Sequence, residues 1–132
     1  MTIDIRSAAT DPITEHQNVV VHSMYPKFTM RDETRDTYLE FVDVFEVAAG
    51  ERAEPHYHNT HEFYFILEGE AYVQIEDEAV KVKPYDLIRI PPNAKHTARA
   101  LDKGMKGLSF ALSYQEPFDP GYHPADLPEV TP

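Results

Sequence analysis

The sequence predicts an all-β protein folded as a single sandwich or barrel domain. Three observations lead there. Apolar runs are short, and turn residues separate them every few positions. β-branched and aromatic residues are concentrated inside those runs. No long stretch repeats apolar residues at helical spacing. A chain of 132 residues is the size of one domain, and an apolar content of 42% is enough for a modest core.

The elements follow in order. Residues 1–37 read as an N-terminal arm, mostly irregular up to about residue 26, with one edge strand over Asn18–His22 around Val19, Val20 and Val21. Tyr38–Ala48 has strand composition, although Glu40, Asp43 and Glu46 interrupt its alternation. Phe63–Leu67 is continuously apolar, as in a strand covered on both faces. Glu68-Gly69 reads as a turn, with Ala71–Ile75 pairing back as a hairpin. A second turn at Asp77-Glu78 leads into Ala79–Val82, which Pro84 ends. Leu87–Ile90 is a strand closed by Pro91-Pro92, and His96–Ala100 and Leu108–Tyr114 are the last two. The barrel thus spans 38–114. The tail, 115–132, holds five of the eleven prolines and cannot supply a central strand. It is expected to wrap the barrel surface or cover its mouth.

Composition narrows the function. The formal net charge is −11 and the basic residues are scattered, which argues against nucleic-acid binding. There are no cysteines, hence no disulfides and no thiolate ligands. The N-terminus lacks the apolar core of a signal peptide, and no apolar run approaches the roughly 18 residues of a membrane span. A cytoplasmic location without membrane attachment is the expectation.

The chemistry is concentrated in Gly50–Gly69, GERAEPHYHNTHEFYFILEG. On a strand, His56 and His58 point to one face while Tyr57 turns away. Glu62 shares that face, but on a straight strand it would lie about 13 Å from His58. Ligands of one ion must each sit about 2 Å from it, so the chain must fold back, and Asn59-Thr60 is the place for the turn. His96, in RIPPNAKH, must arrive from a distant strand. Three imidazoles and a carboxylate suit one divalent transition metal, whether Fe, Mn, Ni, Co or Zn. An open coordination position would support chemistry, and a closed tetrahedral site would be structural.

Gly50, His56, His58, Glu62 and Gly69 resemble the first motif of the cupin superfamily at every signature position. The second motif is matched at Pro91 and His96, whereas Tyr85, Asn93 and Ala100 stand where it expects glycine, glycine and asparagine. The fifteen-residue spacer from Glu70 to Pro84 is similar to that of small single-domain cupins of the cupin-2 type. The resemblance implies a jelly-roll β-barrel, metal ligation by His56, His58, Glu62 and His96, and a homodimer. HYHNTHEFY also resembles, more weakly, the active-site strand of cupin-type dimethylsulfoniopropionate lyases. In those a tyrosine placed like Tyr64 is implicated in base chemistry, and a second near the C-terminus lines the pocket, as Tyr122 would here.

Tyr64, two residues past Glu62, should share the metal-facing side. Its alternatives are a catalytic acid or base, or core packing. Tyr38 and Tyr122 are weaker candidates for the substrate pocket. His61 should face away from the metal, and His16, His22 and His123 read as surface residues, with His123 notable for its place in the tail. Three functions remain open. One is a lyase or isomerase acting on a small organic acid, in which the metal polarises the substrate and Tyr64 moves a proton. Another is an Fe(II) dioxygenase with an apolar lining drawn from Phe41, Phe45, Ile66 and Phe110. The last is a non-catalytic small-molecule binder.

Overall fold

A computed structural model describes residues 4–27, 29, 39–112 and 122–132. Nine strands and no helix occur among the described residues, so none of them forms a helix able to cross a membrane. The strands are β1 (Ile13–His16), β2 (Val19–Tyr25), β3 (Leu39–Val47), β4 (His56–Tyr57), β5 (His61–Ile75), β6 (Glu78–Val82), β7 (Leu87–Ile90), β8 (His96–Leu112) and β9 (His123–Pro124). All pairings are antiparallel, in the order β1-β2-β3-β8-β4-β9, with β5 joining β8 to β6 and β7. The sheet curls on itself because β8 is long enough to serve two sets of neighbours. Its first half faces β4 and the end of β5, and its second half lies between β3 and the start of β5.

The core between these layers contains Val19, Val21, Phe45, Val47, Ile66, Val73, Val82 and Met105. Val19 and Val21 therefore do not belong to an edge strand. β1 takes the edge, and β2 lies between β1 and β3. The expected hairpin at Glu68-Gly69 is also absent. β5 continues unbroken to Ile75, with register shifts on either side of Glu68 and Gly69. Ala71–Ile75 pairs with β6 and β8 rather than with Phe63–Leu67. The two late strands likewise form one, β8, whose last described residue is Leu112. The turn after Ile75 falls at Glu76-Asp77, one residue earlier than expected.

The reason is a paired bend. Gly69 (φ 76°) and Gly104 (φ 74°) both lie in the left-handed region, on facing strands. A Cβ on Gly69 would meet the Gly104 carbonyl oxygen at 1.9 Å. Both strands thus bend together without breaking, as bulges permit.

The described part of the tail is held firmly. Arg52 donates to the Leu127 carbonyl, Arg99 forms a two-pronged pair with Glu129, and Gln74 bonds the backbone of Pro128 and Val130. β9 adds to β4, and its His123 stacks on Tyr57 at 5.0 Å.

Candidate metal centre

The four sequence-predicted ligands converge. One ligand atom from each of His56, His58, Glu62 and His96 lies within 4.8 Å of the other three. Donors about 2.1 Å from a common ion are separated by about 3 Å at right angles and about 4 Å across it, so the cluster has the required size. Two pieces of backbone achieve this. His56 and His96 are directly opposite on β4 and β8, with ring centroids 4.2 Å apart. The chain then bends at Asn59-Thr60 and brings Glu62 in on β5.

Hydrogen bonds orient each ring. His56 Nδ1 donates to the Glu54 carbonyl at 2.9 Å, and His96 Nδ1 donates to the Ala94 carbonyl at 2.8 Å. These bonds leave Nε2 as the metal-facing lone pair. His58 Nδ1 lies 2.8 Å from Thr60 Oγ1, while its Nε2 is 3.1 Å from Glu62 Oε1. His96 Nε2 is buried without a hydrogen-bond partner, 3.5 Å from the same carboxylate oxygen. A buried nitrogen without a hydrogen-bond partner, set among three other ligand atoms, is what a cation site requires. The residues therefore fit a divalent metal held by His56, His58, Glu62 and His96.

The electrostatics agree. Burial, then repulsion from His96, pushes the His56 imidazole down to about 3, so it stays neutral and able to ligate at ordinary pH. Burial alone would raise the Glu62 carboxyl, but the His58 and His96 imidazoles outweigh it and hold Glu62 below the usual carboxylate range. Both groups stand in the form a metal requires.

A cavity, part of it open to solvent, runs inward from His56 and Glu62. Tyr64 lines it on the metal-facing side, as its spacing predicts. Its ring centroid is 6.4 Å from that of His96 and 4.8 Å from that of Phe45. Phe41 and Phe45 also line the cavity. Phe110 does not serve there. It stacks on Phe63 at 5.0 Å, on the opposite side of the sheet. Ile66 is wholly buried, as part of the core. Tyr38 lies outside the described residues. Tyr122 reaches the centre by packing on His56 at 4.6 Å, while its hydroxyl donates to Glu54.

The histidines expected at the surface are placed otherwise. His16 lines the cavity, 4.9 Å from the His56 ring and stacked on Tyr122 at 4.7 Å. The available signal was Gln17-Asn18, a two-residue turn with Asn18 at φ 64° followed by three valines. Read as a hairpin, it places β1, and with it His16. His22 is partly buried and bonded to Glu46 at 2.7 Å.

Comparison with known proteins agrees with this geometry. The family model for the Cupin_2 cupin domain matches residues 43–108, half of the chain. The chain is a cupin. Among solved structures, the cupin chain resembles the polyketide cyclase RemF from Streptomyces resistomycificus, with a TM-score of 0.71 at 17% identity. That likeness covers 98% of this chain and 89% of the other. A cupin-2 domain from Rhodospirillum rubrum gives 0.69 at 17% identity, over 96% and 82% of the two chains. These likenesses establish the fold. A 5-nitrosalicylic acid 1,2-dioxygenase from Bradyrhizobium is 37% identical over 51 residues, 39% of this cupin. The match spans only a quarter of that curated relative.

Proposed function

We propose that this cupin is a metal-dependent enzyme acting on a small organic acid by lyase- or isomerase-type proton transfer. The observation that carries the reading is the continuity of the metal cluster with a mostly apolar cavity along Tyr64. A divalent ion bound there supplies Lewis-acid polarisation of a substrate carboxylate or carbonyl. His56, His58, Glu62 and His96 hold it. Tyr64 stands one strand repeat inward from Glu62, where its hydroxyl can give or take a proton on a substrate lying in the cavity. Phe41, Phe45, Val21 and Ala98 exclude water from that space.

A second reading, an Fe(II) dioxygenase, is favoured by the name of the Bradyrhizobium relative and by the same apolar lining. One experiment separates the two. Metal content is measured on gently purified protein, and product formation is followed with and without O₂ on a panel of small acids that includes dimethylsulfoniopropionate and salicylates. Turnover without O₂ that disappears in Tyr64→Phe while the metal is retained supports proton transfer. O₂ consumption with bound iron supports the oxygenase. Stoichiometric metal with no turnover makes the protein a small-molecule binder. We also propose a homodimer through the early strands, where Ile13 is 56% exposed. Light scattering tests this.

A further inference from the structure

Small residues keep the cavity beside the metal centre open. Ala53 and Ala98 both line it, and the Ala53 N–H donates to the Ala98 carbonyl at 2.9 Å. They are buried, at 6% and 3% exposure. Larger side chains there would fill the space, which is the ordinary state of a close-packed core. Phe45 lines the cavity too, but its ring lies sideways over Gly107, where an added Cβ would meet it at 2.7 Å. Gly107 is opposite Phe45 on β8. With no side chain there, the ring folds onto the neighbouring strand instead of projecting across the interior.

Another part of the wall comes from the N-terminal arm. Val19 and Val21 on β2 are buried and line the cavity, and Val21 is opposite Phe45. Both valines lie outside residues 43–108, the part matched by the cupin domain, so likeness to that domain says nothing of this wall. Polar groups on the wall have partners of their own. The Thr97 hydroxyl donates to the Ala53 carbonyl at 2.6 Å, and Asp43 interacts within the protein. A ligand body beyond the metal therefore meets mainly hydrocarbon. A charge carried on that body would lose its hydration without replacement.

We propose that the substrate is a carboxylic acid with a neutral hydrocarbon body, and that Val19 and Val21 of β2 set the size of that body. The inference rests on the metal-centred reading above. The acid group would sit at the metal, and the body would lie against Val19, Val21, Phe45 and Ala98.

The test uses Co(II)-loaded protein, with calorimetry for affinity and the Co(II) visible spectrum for ligation. Acetate, butanoate and 4-methylpentanoate form a series of growing bodies. Dimethylsulfoniopropionate has the shape of 4-methylpentanoate, with a sulfonium in place of the branching carbon. Affinity should rise about fourfold for each carbon added. The neutral acid should bind about tenfold or more tightly than the sulfonium acid. Val21→Ala should weaken 4-methylpentanoate about fourfold or more and leave acetate within about twofold, with cobalt stoichiometry kept. Val19→Ala should act in the same direction, and serves if Val21→Ala does not fold. Affinity that stays flat along the series overturns the hydrocarbon class, as does a sulfonium acid that binds as tightly as its neutral counterpart. Unchanged 4-methylpentanoate affinity in both variants overturns the role of β2. Acids that leave the spectrum untouched overturn the metal-centred reading as well.

Discussion

The two stretches that supply the metal ligands meet the same backbone demand with different residues. The first, Gly50–Gly69, places glycine at both its left-handed positions, with φ of 73° and 76°. The second, Tyr85–His96, adopts left-handed backbone at Tyr85 (φ 76°) and Asn93 (φ 64°). Tyr85 and Asn93 are the positions where the second cupin motif would have glycine, so the loop path survives without it. Hydrogen bonds hold that path. Tyr85 N donates to the Ile66 carbonyl at 2.8 Å, and Asn93 N to the His58 carbonyl at 2.7 Å. Glycine is therefore indispensable where a Cβ would collide. Where space is open, surrounding structure can hold a side chain in a strained conformation.

The comparison can be broken most severely at the ligands. His56→Ala in the first stretch and His96→Ala in the second should each abolish stoichiometric metal, checked by elemental analysis, with the β-rich circular dichroism spectrum retained. Full metal retention in either variant would mean that the two stretches do not share one ion. Next in size is Gly69→Ala, whose Cβ would meet a backbone oxygen at 1.9 Å. A loss of about 3 kcal/mol or more is expected in urea unfolding. Gly50→Ala has nothing within 4 Å of its Cβ, so only the strain of roughly 1 kcal/mol applies.

Acid should act on the first stretch, through His56 and Glu62. His56 is held below its ordinary 6.5, so the unfolded chain binds its proton first. The stability it contributes is full above about pH 6.5 and is lost as pH falls toward 3. Glu62, also lowered, loses its contribution in the same direction once pH falls below 4.5. Metal release and a falling melting temperature on acidification are expected, and a metal-free melting curve flat from pH 7 to 4 would contradict this. Tyr85→Gly should stabilise by about 1 kcal/mol, since the tyrosine is 81% exposed and its strain is relieved. Asn93→Gly should change stability by only a few tenths, because asparagine tolerates this conformation.

These contrasts show what was legible in the chain. The ligand quartet was legible because three members fall in one short window with the spacing of a strand and a turn, and a pair of prolines precedes the fourth. Tyr64 followed from its even step beyond Glu62. Phe41 and Phe45 were also legible as lining, whereas Asp43 and Ser109 were not, because their place in the wall depends on register between distant strands. Asp43 looked like an interruption of β3 until its pairing with Ser109 was known. Glu68-Gly69 reads locally as a turn, and only the facing Gly104 makes it a bend within a continuous strand. His16 was hidden because a four-residue strand gives almost no periodic signal.

The partners that orient His56 and His96 are main-chain carbonyls two residues upstream. No substitution of a neighbouring side chain can delete them. The metal-facing nitrogens of these two rings are thus insulated from mutational drift around them, so long as the loop path holds. His58 lacks that protection, because its orienting contact is the Thr60 hydroxyl. Sequence change at one threonine would retune one ligand and leave the other two rings in place. A lineage evolving a different metal preference or reactivity on this scaffold would find its shortest route there.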